Sequence, residues 1–124
     1  MLSYETPALA STLDYEGSIM KGYRILFFTQ ENRKVHGDTV GQWILQKARK
    51  LGAAGGTMMA GGEGFGHSGT IHSAGFFEMA DRPMTVSVVT DEATGDALMA
   101  AIKEEGIDVF YCRNEVEFGR LGKD

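Results

Sequence analysis

The residues best suited to chemistry crowd into one stretch, Gly52–Gly75, which reads GAAGGTMMAGGEGFGHSGTIHSAG and holds nine of the 17 glycines. Backbone N–H groups of a glycine-rich loop can converge on a phosphate or another anion, and glycine permits the close approach and the positive φ this requires. Gly64-Phe65-Gly66-His67-Ser68-Gly69 also spells G-x-G-x-x-G. That fingerprint marks a dinucleotide site only where a helix follows. Here Thr70–Met79 reads as β-like, which excludes a Rossmann site, and no G-x-x-x-x-G-K-[ST] is present. The same glycines also suit a bulged hairpin with tight turns. His67 and His72, with Glu63, could ligate a metal if they converged; solvated or hydrogen-bonded loop histidines are the plainer reading, and no metal site is assigned. His36 beside Asp38 reads as a contact at the start of a helix rather than a catalytic dyad. Cys112 follows Tyr111 in a strand and reads as inert core, while Met58-Met59 and Phe76-Phe77 read as interface or core. No Ser–His–acid or paired-carboxylate arrangement is evident, so the expectation is a binding protein and not an enzyme.

Two strand–helix pairs frame this stretch. Tyr23–Thr29 (YRILFFT) is a short apolar run, expected as a central strand buried on both faces. Gln30–Gly37 reads as a polar turn, and Asp38 is the expected N-cap of a helix. In that helix Val40, Ile44, Ala48 and Leu51 fall at helical spacing, with Trp43 and Leu45 broadening the stripe. Lys47, Arg49 and Lys50 suit its last turn, and Gly52 its left-handed end. Beyond the glycines, Asp81-Arg82-Pro83 reads as a turn or break, and Met84–Thr90 alternates with Met84, Val86 and Val88 on one face. Thr90 or Asp91 caps a second helix, Glu92–Glu105, with Leu98, Ala101 and Ile102 inward and Gly106 as its stop. Ile107–Cys112 is the last clear strand, which Val116–Phe118 extends.

The order β-α-β, loop, β-α-β predicts an α+β, ferredoxin-like βαββαβ fold, a four-stranded antiparallel sheet with two helices on one face. The strands are apolar enough that the other face is expected to be buried by further copies of the chain. Residues 1–21 read as an N-terminal extension and 22–124 as one domain, the size of a single core.

Composition narrows the function. The chain carries 17 acids against 12 bases, and its first twenty residues hold Glu5, Asp14 and Glu16 with no base. Without a basic stripe, nucleic-acid binding is excluded as the main role, because phosphate neutralisation supplies most of that affinity. One cysteine allows no internal disulfide and fits a reducing compartment. No apolar run approaches membrane-spanning length, and the N-terminus lacks the basic and apolar regions of a secretory signal. A cytoplasmic location is expected.

Gly56-Thr57-Met58-Met59 through Gly64-Phe65-Gly66 resembles the second strand and loop base of PII signal-transduction proteins. The wider order is similar to a PII-like family catalogued as domain of unknown function 190. Its elements here are His36-Gly37, Gly52-Ala53-Ala54-Gly55, Gly61–Gly66, Ile71-His72 and Arg82-Pro83. The resemblance spans about Tyr23 to Phe118. It implies a homotrimer whose lateral clefts hold a small anionic effector, often an adenine nucleotide, and whose T-loop reports occupancy to a membrane transporter or an enzyme. By position it carries ligand binding onto Gly64, Phe65 and Gly66, with His67, Ser68 and Gly69 where PII proteins have Arg, Gln and Lys. Arg120 matches the second of two phosphate-binding arginines, and Phe118 stands in place of the first. The glycine-rich, lysine-bearing loop that PII proteins place before the last strand is missing, as is a counterpart of the modified T-loop tyrosine. Fewer phosphate-binding cations favour a less charged effector, AMP, ADP, a cyclic nucleotide or a bicarbonate-like anion, over ATP. No cofactor is implied. A ligand-independent trimeric adaptor and a metal-binding trimer similar to the copper-tolerance proteins stay open as alternatives.

Overall fold

The computed structural model describes residues 19–61, 63–65, 71–73 and 82–122, the two short pieces 63–65 and 71–73 by their backbone alone. In chain order the elements are β1 (Met20–Gln30), β2 (Lys34–Val35), β3 (Asp38–Thr39), α1 (Val40–Leu51), β4 (Gly55–Ala60), β5 (Glu63–Phe65), β6 (Ile71–Ser73), β7 (Pro83–Asp91), α2 (Glu92–Glu105) and β8 (Phe110–Phe118). Residues 1–18 and the apolar stretch Phe76–Met79 lie outside the described residues.

The four long strands form one sheet in the order β4-β7-β1-β8, every neighbour antiparallel. This is the expected ferredoxin-like arrangement. Alternation along β1 and β7 sends Ile25, Phe27, Val86 and Val88 to one face, where Val40, Ile44 and Ala48 of α1 and Leu98 and Ile102 of α2 complete the core. Gly22 is needed where β1 crowds β7, since a Cβ there would fall 2.0 Å from the Thr90 carbonyl oxygen.

Both helices end as expected. Gly52 and Gly106 are left-handed, and the N–H groups of Ala53 and Ile107 donate back to Ala48 and Ile102, the Schellman pattern. Asp91 caps α2 by accepting from the Thr94 N–H at 3.1 Å.

Several expectations are corrected. The cap of α1 is Thr39, not Asp38: its hydroxyl accepts from the Gln42 N–H, and the Gln42 side chain accepts from the Thr39 N–H, a capping box. Asp38 is instead spent on β3, paired with Val35. Leu51 is exposed rather than inward, because the helix end carries it past the core. β1 begins at Met20, which is buried and pairs with Phe118. It is buried on one face only, since both helices pack on the same side of the sheet. On the other face Phe28 and Phe110 contact each other with ring centroids 5.7 Å apart, and Phe110 is 71% and Met59 54% exposed. Cys112, directly opposite Leu26, lies on that face and is exposed rather than core.

Candidate functional site

The glycine-rich stretch leaves the sheet at Gly61, whose N–H donates to the Pro83 carbonyl at 2.8 Å. Two residues on, β5 pairs with β6 in the register Glu63↔Ser73, Gly64↔His72 and Phe65↔Ile71. A strand, a connection and a returning strand are thus present. Gly64 and Phe65 sit in the paired stem, whereas Gly66, His67, Ser68 and Gly69 lie outside the described residues. His72 is a stem residue opposite Gly64. Among the described residues no three His, Cys, Asp or Glu side chains cluster as a metal site would require.

Arg120 follows the end of β8 and is exposed. The register fixes its distance from the loop base. Ala60 and Thr29 both lie opposite Met84, so the loop base shares an end of the sheet with Phe110, which pairs with Phe28. Phe118 pairs with Met20 at the opposite end. At about 3.3 Å per residue the two ends of β8 are roughly 25 Å apart. β4 and β8 are also the two outer strands. One chain therefore brings Gly64 and Phe65 close to each other but holds Arg120 at the far corner.

Residues that the local pattern did not mark gather at the loop end. The chain between β1 and α1 folds as a small hairpin whose turn, His36 (φ 51°) and Gly37 (φ 87°), is left-handed at both positions, as a two-residue type I′ connection demands. The His36 Nε2 meets the Glu105 carboxylate at the end of α2, which corrects its reading as a contact at the start of a helix. The Arg33 guanidinium donates to the Asp108 carbonyl. Arg82, at the returning end of the loop, donates from Nη2 to Glu31 Oε2 at 3.1 Å. Arg82-Pro83 and His36-Gly37 were visible as dipeptides; their partners, far away in sequence, were not.

A depression of about 460 Å³ lies between the end of α1 and the start of β4, lined by Leu45, Arg49, Ala54 and Gly56 among others. It is at the opposite end of β4 from the loop. Near β8, the Arg113 guanidinium stacks over the Tyr23 ring at 4.2 Å and donates to Asp96 at 3.2 Å. Burial, and then the Asp96 charge, push the Tyr23 phenol above its usual range, with Arg113 opposing.

The family model DUF190, described as an uncharacterized ACR, matches residues 22–117. No curated protein matches the chain in sequence. Among solved structures, CPII, a nitrogen regulatory PII-like protein from Thiomonas intermedia K12 bound to ADP, AMP and bicarbonate, is similar with a TM-score of 0.63 and 13% identity, over 83% of this chain and 92% of that one. A PII-like signaling protein from Thermus thermophilus is similar with a TM-score of 0.61 and 12% identity, over 82% of this chain and 92% of that one. At such identities the likeness is one of fold.

Proposed function

The chain belongs to the DUF190 family and has a PII-like fold, and on that footing we propose that it is a regulatory protein that binds a small anionic effector between subunits. The effector of this reading is an adenine nucleotide such as ADP or AMP, with bicarbonate as a second ligand, the set bound by CPII. The glycines and polar residues of Gly64–Gly69 would supply N–H and hydroxyl donors to phosphate, and Arg120 a charge-assisted contact.

The observation that supports the reading is that the base of the loop, at Ala60, and the end of β8 that leads to Arg120 lie at opposite corners of one sheet. In the proposed site the loop of one chain meets Arg120 of another. The open sheet face with Phe28, Phe110 and Met59 supplies a surface through which copies can associate, and the proposed assembly is a homotrimer. The Gly-rich T-loop then signals occupancy to a partner protein, a transporter or an enzyme. No helix among the described residues is long and apolar enough to cross a membrane.

Titration calorimetry with ADP, AMP, ATP, cyclic AMP and bicarbonate, singly and paired, tests this. We expect micromolar ADP binding, weakened about 10- to 100-fold by Arg120→Ala, the usual value of a hydrogen bond to a charged group. We also expect the nucleotide to be recovered unchanged by chromatography, as for a sensor without catalysis. No heat with any of the ligands would overturn the reading.

A further inference from the structure

Residues 31–39 touch two parts of the molecule that are distant in sequence, and the helix that follows them. At the first end the Glu31 N–H donates to the Arg82 carbonyl at 2.9 Å, and the two side chains are ion-paired while only 31% and 25% exposed. In the middle the Val40 N–H, the first of α1, donates to the Arg33 carbonyl at 2.8 Å. At the other end Arg33 holds the Asp108 carbonyl and His36 holds Glu105. The I′ turn makes the two short strands a stiff unit between these anchors.

The Glu31–Arg82 pair is an odd way to gain stability. Glu31 Oε1 and Arg82 Nε are both buried without a hydrogen-bond partner among the described residues, which leaves part of the desolvation of each charge uncompensated by them. Apolar residues of similar size commonly do as well or better in such places. What the pair does supply is a charge-assisted tie, Nη2 to Oε2 at 3.1 Å, between residues far apart in the chain.

We propose that the hairpin is a strut coupling the returning end of the glycine-rich loop, at Arg82, to the end of α2 and the connection to β8, at Glu105–Asp108, so that engaging either end alters the other. The meaning of the strut for signalling rests on the sensor reading above; its existence does not.

Hydrogen exchange of the ligand-free protein tests it, with three probes: the amides of Glu31, Val40 and Ile107. The double replacement Glu31→Leu/Arg82→Met is expected to leave Tm within a few degrees. The Val40 and Ile107 amides, which are not bonded to either replaced residue, are expected to exchange about tenfold faster, the scale of ordinary coupling between sites. Coupling is reciprocal, so His36→Ala at the far end is expected to speed exchange at Glu31 by a like factor. Changes confined to the neighbours of each substitution would overturn the proposal. His36 is largely exposed, so that variant decides the matter alone if the double replacement does not fold. Because no nucleotide enters the measurement, a blank in calorimetry counts against the proposed function and leaves this result standing.

Discussion

Tyr23 joins three elements at one ring: it lies on β1, carries the Arg113 guanidinium of β8 over its face, and feels Asp96 of α2. Burial raises its pKa above the ordinary value of about 10 and Asp96 adds to the effect. The phenol is neutral when protonated, so the folded chain holds this proton more tightly than the unfolded one. Its contribution is intact below pH 10 and is lost as pH climbs through the raised folded value. We expect the denaturation midpoint to fall as pH rises above 10, and Tyr23→Phe to flatten that slope. Absorbance of tyrosinate, followed in both proteins, checks that the late-titrating ring is this one. None of this cluster was legible in the sequence, because Tyr23, Asp96 and Arg113 meet only once β1, β8 and α2 are packed. Cys112 differs from its expected place for a related reason. Its apolar strand was plain, but which face of that strand the helices cover depends on register and handedness.

At the scale of elements the sequence was far more legible, since caps and periodicity are local. The span Glu92–Glu105 and its stop at Gly106 agree with α2 to the residue. The start of α1 was displaced by one, because Asp38 and Thr39 are both good N-caps. Only the short pairing of β2 with β3 assigns Asp38 to a strand, and two-residue strands leave no periodic trace. Thr39→Ala is expected to cost about 1 kcal/mol, measured by chemical denaturation, and Asp38→Ala clearly less. The last strand was expected from Ile107 but begins at Phe110. Ile107 is instead taken up by the Schellman closure of α2.

For the whole molecule the open sheet face is the dominant fact. Exposed apolar side chains gathered on one face suggest a contact surface, and at Phe110, at its rim and touching Phe28, a new charge would oppose such a contact directly. We expect Phe110→Glu to shift sedimentation from the proposed trimer to monomer while leaving the circular dichroism of the fold unchanged. An unaltered sedimentation coefficient would remove this face from the assembly. The expectation of further copies came from strands too apolar for one layer of helices. The distribution of the loop base and Arg120 over the sheet was not legible in the sequence, because resemblance aligns residues along the chain and says nothing of which corner of the sheet each occupies. That distribution has a genetic side. If the loop of one subunit and Arg120 of its neighbour complete each cleft, every chain lends its two halves to two different clefts. A defective allele then spoils sites it only half builds and behaves as dominant in a mixed cell. Two alleles damaged at opposite corners would rescue each other wherever their intact halves happen to meet.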